Sequence, residues 1–172
     1  MVDTMNIRVA SIADAEKMLV IQQEILTEEE LTFITTKDEF QQTIEGQQTW
    51  IKEKLANKRE IIFIAECNEE VVGWLVFQST NRKRLAHTGS FGMMVQKEHR
   101  GKGIGKRLIE ALLTWAVANP KIEKVCLGVF STNVGAIALY EKMGFIEEGR
   151  KVNEIKIKEN EYIDDVLMYK MV

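Results

Sequence analysis

The sequence predicts a single α/β domain whose mixed β-sheet is flanked by helices. Three observations predict it. Strand-like apolar runs recur from residue 6 to residue 169, and amphipathic segments with helical spacing separate them. The chain has 172 residues with 45% hydrophobic content, enough for one sizeable core. One proline, at position 120, and no Ser- or Gly-rich tract leave no linker, so we expect one domain over residues 1–172.

The predicted elements follow from local patterns along the chain. Ser11 and Asp14 have the spacing of a capping box and mark the start of the first helix. The short polar connection 68–70 between two apolar runs favours a hairpin. Strands are expected at about 6–12, 60–67, 71–80, 86–95, 124–130, 146–157 and 162–169. Helices are expected at about 13–26 and 47–58, from 104 with a buried face through Ile104, Leu108, Leu112 and Trp115, and after 133.

Composition excludes several classes of protein. The net charge of −3 argues against a general nucleic-acid surface, which needs a contiguous basic face. Residues 1–4 lack the features of a signal peptide, and no apolar run is long enough for a membrane span, so we expect a cytoplasmic soluble protein. Cys67 and Cys126 lie in strand-like runs without a C-x-x-C partner, which predicts free buried thiols and no metal site.

A glycine-rich basic turn at residues 100–106 is the most informative segment. Gly101, Gly103 and Gly105 let backbone N–H groups converge on an anion, and the helix that follows adds its unpaired N-terminal amides. Arg100, Lys102, Lys106 and Arg107 add positive charge to the same turn. The residues expected to bind a phosphorylated ligand are Arg100, Gly101, Lys102, Gly103, Ile104, Gly105 and Lys106. The alternative is a solvated basic turn.

Two common phosphate-binding motifs do not fit this turn. A Walker A loop needs a glycine five residues before its Gly-Lys pair and Ser or Thr directly after it, but Arg100 and Arg107 occupy those positions. A dinucleotide motif needs G-x-G-x-x-G early in a βαβ unit, whereas this loop lies past the middle of the chain with a different spacing.

A second informative segment runs from Ser131 to Phe145. Asn133 is a good N-cap after a β-rich run, and Gly144 suits the left-handed position that ends a helix. Ala136, Leu139, Tyr140 and Met143 share one helical face between them. We therefore expect a strand, a cap, a short helix and a further strand.

Together the two segments resemble the GNAT superfamily of acyl-CoA-dependent N-acetyltransferases. Its signature is an Arg/Gln-x-x-Gly-x-Gly/Ala loop followed by an Asn-x-x-Ala-x-x-Leu-Tyr-x-x-x-Gly-Phe helix. Arg100, Gly103 and Gly105 match the loop, and Asn133 through Phe145 match the helix, so the resemblance is specific over about 86–150.

The resemblance implies acetyl-CoA as the cofactor, held between two splayed central parallel strands. Backbone groups of Met93, Met94 and Val95 would then bond the pantetheine amides as an added strand would. Asn133 matches a position whose side chain contacts the cofactor arm in relatives. Its alternative role is the N-cap alone, and the two roles are compatible.

The reaction implied is direct attack of an amine on the thioester through a tetrahedral intermediate. Tyr140 matches the position that protonates or stabilises the departing thiolate; the alternative is a tyrosine that only packs. A strand N–H near Val95 is a candidate oxyanion donor. No general base can be named, because the position that carries a glutamate in some relatives is Gly128 here. The candidates left are His87, Asp164, Asp165 and a bound water.

The sequence indicates the class of the acceptor substrate only broadly. The run 160–168 resembles the Gly-x-Tyr-x-Asp-x-x-x-Met ending of bacterial branches that act on amino acids, polyamines, antibiotics or protein N-termini. We expect a primary amine of a small molecule, such as an amino acid or polyamine. The alternatives are a protein N-terminal or lysine acetyltransferase and a non-catalytic CoA-binding domain. No nucleic-acid or membrane partner is expected, and a homodimer is an assembly to test.

Overall fold

A seven-stranded β-sheet forms the centre of the computed structural model, which describes residues 4–28 and 32–172. The strands lie in the order β1-β2-β3-β4-β5-β7-β6. Their bounds are Met5–Val9 (β1), Ile61–Cys67 (β2), Glu70–Ser79 (β3), Thr88–Val95 (β4), Lys124–Phe130 (β5), Ile146–Lys158 (β6) and Glu161–Met171 (β7). Residues 1–3, on which the expectation about a signal peptide partly rests, lie outside the described residues. The predicted α/β fold with a mixed sheet is confirmed.

The parallel pair β4 and β5 is paired along only part of its length. All other neighbouring strands are antiparallel. The parallel pairing joins Thr88–Ser90 to Lys124–Cys126 and goes no further. Both strands continue, to Val95 and Phe130, without pairing to each other. The sheet therefore contains a gap at the carboxyl ends of its two central parallel strands.

Within residues 4–28 and 32–172, four α-helices cover the two faces of the sheet. The helices α1 (Ala15–Leu26) and α2 (Ile44–Ala56) bury one core cluster with Ile62, Ile64 and Trp74. The helices α3 (Ile104–Ala118) and α4 (Val134–Lys142) lie over the other cluster, which is the larger. No helix in the described ranges has the length and apolar character that crossing a membrane requires.

Local capping groups set where the first two helices begin. The Asp14 carboxylate accepts a hydrogen bond from the Ser11 amide at 2.7 Å, as the predicted capping box requires. A short 3₁₀ turn covers Ile12–Asp14, so the α-helix starts at Ala15 rather than at 13. The second helix starts earlier than expected because Thr43 caps it, with Oγ1 accepting from the Gly46 amide at 3.0 Å.

The turns follow the expected chemistry. Asn68 and Glu69 have φ values of 52° and 69°, which close the hairpin between β2 and β3. Gly144 has φ of 88° and ends α4. Both cysteines are free thiols, but only Cys67 is buried, whereas Cys126 is half-buried.

We expect the two glycines of β4 to respond differently to alanine. A Cβ at Gly89 would lie 2.3 Å from Cζ of the fully buried Phe77 ring and 2.5 Å from the Gln78 carbonyl oxygen, so Gly89→Ala should destabilise the fold by about 1–3 kcal/mol. A Cβ at Gly92 meets nothing within 4 Å, and Gly92→Ala should change stability by less than about 0.5 kcal/mol. Equilibrium unfolding in urea measures both, and equal losses would contradict the packing described.

Candidate functional site

The gap between β4 and β5 opens into a cavity of about 880 Å³. Its walls come from the unpaired ends of both strands, the glycine loop, the start of α4 and the segment Thr32–Thr35. Of the residues expected to bind the cofactor, those that line it are Met93, Met94, Val95, Arg100, Gly101, Gly103, Ile104, Gly105, Lys106, Asn133 and Tyr140. Lys102 is exposed and does not contribute to the wall. Phe91, Gln22 and Leu26 also line the cavity, and nothing in the sequence had marked them.

The three loop glycines have different physical roles. Gly101 and Gly103 have φ values of 72° and 83°, a region that disfavours other residues, and a Cβ at either would occupy open space. Gly105 has ordinary backbone angles, but a Cβ there would lie 3.2 Å from Met93 Cε and 3.4 Å from Leu139 Cδ2. Gly101 and Gly103 thus shape the loop, and Gly105 lets α3 approach β4 and α4.

The backbone N–H groups of residues 101–106 remain available to a ligand. Among the described residues, none accepts a hydrogen bond from these amides, and the first bond of the turn runs from the Arg107 amide to the Gly103 carbonyl at 3.1 Å. The helix behind them has 15 residues, and its positive end adds to the attraction for an anion. The loop therefore presents free donors and the positive end of a helix to an anion such as a diphosphate.

Arg100 is held by protein groups rather than pointing freely at the loop. Its Nη1 and Nη2 atoms each lie 2.7 Å from a carboxylate oxygen of Glu28, and its Nε donates to the Val95 carbonyl at 2.9 Å. This bidentate pair fastens the end of β4 to the residues that follow α1. The predicted role of Arg100 as a phosphate ligand would require its guanidinium to leave these partners.

The other basic side chains of the turn differ in whether a protein group already holds them. Arg107 donates to the Met5 carbonyl at 2.9 Å, so its charge serves β1 rather than the loop. Lys106 lies 3.5 Å from Glu110 one helical turn away, and both side chains are half exposed. An exposed pair of this kind contributes little stability, so Lys106 is the lining cation that a phosphate could recruit at least cost.

The edge of β4 that faces the gap has a definite hydrogen-bonding pattern. The His87 carbonyl accepts from Glu123 and Lys124, which places odd-numbered residues of β4 toward β5. The Gln96 amide donates to Val72, so the even-numbered residues face β3. Alternation gives the gap the backbone groups of Met93 and Val95 and commits those of Met94 to β3. Of the three residues whose backbone was expected to bond pantetheine, Met93 and Val95 therefore face the gap, and Met94 does not.

Tyr140 brings a phenol to the cavity from α4. The residue is 8% exposed, and its ring makes edge-to-face contacts with Phe91 at 5.8 Å and with Phe145 at 6.1 Å. Its hydroxyl has no hydrogen-bond partner among the described residues. Burial raises the pKa of Tyr140 to about 12, so the phenol stays protonated at neutral pH and can act as a donor.

Asn133 performs the capping role expected of it. Its Oδ1 accepts from the Ala136 amide at 3.3 Å, which confirms the N-cap of α4. The residue also lines the cavity, and its side-chain amide nitrogen has no partner in the described ranges. Contact with the cofactor stays a prediction for this group.

The candidate residues for a general base differ in whether they line the cavity. Asp164 accepts from the Asn153 amide at 2.9 Å, and neither it nor His87 lines the cavity. Asp165 does line it. His99, a loop residue that is not among these candidates, also lines the cavity, and its buried Nδ1 has no partner within the described chain.

Comparison with known proteins agrees with this geometry. The profile of the Acetyltransferase (GNAT) family matches residues 23–145, and the chain belongs to that family. The N-acetyltransferase YokL of Bacillus subtilis is 32% identical over 130 residues, which cover 74% of this chain and 70% of YokL. The L-amino acid N-acetyltransferase AaaT of Escherichia coli is 28% identical over 118 residues, covering 68% of this chain and 72% of AaaT.

A solved structure has the same architecture. The crystal structure of a GNAT-family acetyltransferase from Streptococcus pneumoniae superimposes with a TM-score of 0.93 and 26% identity, covering 98% of this chain and all of that one. The protein is thus a GNAT N-acetyltransferase that uses acetyl-CoA, and the expected enzyme class and cofactor are confirmed. The individual site residues stay predictions.

Gly103→Ala tests the loop. Alanine at φ of 83° costs about 1–2 kcal/mol and turns a methyl group into the space beside the free amides. We expect the Kd for coenzyme A to rise roughly tenfold or more, as for the loss of a hydrogen bond to a charged group. Isothermal titration calorimetry measures it. Gly149→Ala is the matched control, because a Cβ there meets open space without a left-handed φ, and Gly149 does not line the cavity. An unchanged Kd in Gly103→Ala would exclude this loop as the binding site.

Proposed function

We propose that the protein transfers the acetyl group of acetyl-CoA to a primary amine of a small molecule, such as an amino acid or polyamine. The observation that carries the proposal is that one cavity joins the free loop amides, the open edge of β4 and the Tyr140 phenol. The name of AaaT supports an amino-acid acceptor. A volume of about 880 Å³, shared by the cofactor arm and the acceptor, favours a small acceptor.

Each wall of the cavity has a proposed task. The amides of 101–106 would hold the diphosphate, and the gap-facing backbone of Met93 and Val95 would hold the pantetheine arm. Acetyl-CoA supplies the acyl group as a thioester. Since the Val95 carbonyl is occupied by Arg100, its N–H is the group free to polarise the thioester carbonyl. Tyr140 would donate its proton to the departing sulfur.

The acceptor is assigned to the parts of the cavity wall other than the glycine loop and the edge of β4. Thr32, Phe33, Ile34 and Thr35 form one part of it, and Phe33 also packs against the core beneath α1 and α2. Asp165, from β7, contributes a carboxylate. This combination of hydroxyl, apolar and acidic groups suits an amine that carries a short apolar or polar chain.

A cytoplasmic location belongs to the same proposal. Cys67 and Cys126 are both free thiols, which a reducing compartment would preserve. The homodimer stays a prediction, to be tested by sedimentation or light scattering.

Acceptor screening tests the activity directly. With acetyl-CoA present, we expect thiol release and an acetylated product, seen by mass spectrometry, for at least one amino acid or polyamine in a panel of small amines. The panel includes peptides with free N-termini and with internal lysines. Transfer confined to peptides would support the protein-acetyltransferase alternative. Tight coenzyme A binding without thiol release for any amine would support the non-catalytic one.

Tyr140→Phe tests the proposed acid. The substitution keeps the ring contacts with Phe91 and Phe145 and removes only the hydroxyl, so stability and acetyl-CoA affinity should change little. We expect kcat to fall by about 10²-fold or more, as for loss of a general acid. Tyr162→Phe is the control, because Tyr162 is 45% exposed and lies outside the cavity wall. Equal kcat values for the two variants would remove Tyr140 from the mechanism.

A further inference from the structure

Asp165 lies where the acceptor side of the cavity meets the sheet. It is on β7, directly opposite Phe130 of β5. Phe130 belongs to the part of β5 that has separated from β4, so Asp165 stands beside the gap rather than beneath the closed sheet. Building on the proposed function, we propose that Asp165 is the general base that takes a proton from the ammonium group of the acceptor.

The absence of a side chain at Gly128 creates the space for this carboxylate. A Cβ on Gly128 would lie 2.8 Å from Asp165 Oδ1, which is closer than van der Waals contact allows. The Asp165 side chain rests over the bare backbone of β5 and is only 13% exposed. Any larger residue at 128 would displace it, so the two positions form one structural unit.

The carboxylate is half-buried and keeps its hydrogen-bonding capacity free. It accepts no hydrogen bond from the described residues, so its oxygens can bind a group that enters the cavity. The closest cation, Lys151 Nζ, lies 3.8 Å from Oδ2, is 52% exposed and is shared with Glu154 at 3.7 Å. A structural ion pair would be shorter and better enclosed. The carboxylate is instead available to a cation that enters the cavity.

The charges around Asp165 also favour a base. Across the described parts of the chain, it is the one carboxylate that lines the cavity. Burial raises the pKa of Asp165, Lys151 lowers it, and Glu154 raises it again, with a net upward shift. From β5, Gly128 and Phe130 present no titratable group. A carboxylate with a raised pKa holds a proton more readily than an ordinary aspartate does.

The reaction balances as follows. Asp165 takes one proton from R–NH₃⁺ and leaves R–NH₂ with a free electron pair. That pair forms the C–N bond to the acetyl carbon, and the C=O π pair moves to oxygen in the tetrahedral intermediate. When the C=O bond forms again, the C–S bond breaks and its electron pair goes to sulfur. Tyr140 gives its proton to sulfur and regains one from the nitrogen. Asp165 releases its proton to solvent, so one proton leaves for each acetyl group transferred.

Asp165→Asn is the central test. The substitution keeps the shape and removes the basicity, so we expect kcat/KM at pH 7 to fall by about 10²- to 10³-fold with an unchanged Kd for coenzyme A. The deficit should shrink as pH rises toward the pKa of the amine, about 10 for an alkylamine. It should also be smaller at pH 7 for the α-amine of a peptide, whose pKa is near 8. Initial rates of thiol release over pH 6–10 measure both trends.

Two further variants separate the base from a structural role. Glu154→Gln removes the same charge beside the same Lys151, but Glu154 does not line the cavity, so its rates should stay within about twofold of wild type. Gly128→Ala should lower kcat by pushing the carboxylate aside, and should have little further effect in the Asp165→Asn background, because the two changes act on one group.

Stability should move in the opposite direction to activity. Because the folded pKa of Asp165 lies above its unfolded value, its ionisation at neutral pH costs stability, and this cost is absent below the unfolded pKa near 4. Asp165→Asn should therefore raise Tm at pH 7 relative to wild type, with the difference vanishing at about pH 4. Thermal unfolding in buffers across this range measures it.

The outcomes distinguish the base from the wider function. A wild-type protein that acetylates no amine overturns the proposed function. With an active wild type, a deficit in Asp165→Asn that is pH-independent or confined to KM overturns the base assignment and leaves the function standing. Equal losses in Asp165→Asn and Glu154→Gln overturn it too. A pH-dependent loss specific to Asp165 supports it.

Discussion

The contact among the rings of Phe91, Tyr140 and Phe145 is the interaction on which the site depends. Phe91 is the first residue of β4 beyond the segment paired with β5. Its ring meets one residue from α4 and one from the start of the following chain, each at 5.8 Å. Apolar packing thus fills the floor of the opening where strand pairing ends. The same packing fixes the direction of the Tyr140 phenol, so the side chains that fill the gap also place this hydroxyl group.

The proposed anion site at residues 101–106 relies on backbone geometry more than on mobile charge. Free amides and a helix terminus are already in position, so a bound diphosphate would cost little conformational entropy there. The guanidinium of Arg100, which pattern reasoning would assign to the ligand, instead ties β4 to Glu28. This pair joins the end of β4 to the residues that directly follow α1. The backbone of the loop has a defined conformation, whereas the side chains of Lys102 and Lys106 remain exposed to solvent.

The features that the sequence predicts correctly are those set by residues close together in the chain. The hairpin at Asn68, the cap at Asn133 and the stop at Gly144 depend on residues a few positions apart, and the structure confirms them. The structure starts α2 at Ile44 rather than at 47, because Thr43 caps the helix. Which of Met93 and Met94 faces the gap depends on strand alternation, and the seat of Asp165 over Gly128 depends on the register of β7 against β5. Neither the facing of these methionines nor the position of Asp165 can be predicted before the pairing of the strands is known.

Strand β6 borders the sheet and has one neighbour, β7. Its register shifts at three places, one of them between Lys151 and Ile155, next to the charges that surround Asp165. A border strand tolerates inserted or deleted residues that an interior strand would not. Sequence changes in β6 near Lys151 and Glu154 can therefore alter the charge beside Asp165 without changing the wall of the cavity, to which β6 contributes no residue. The electrostatic surroundings of that carboxylate are thus separable from the shape of the cavity.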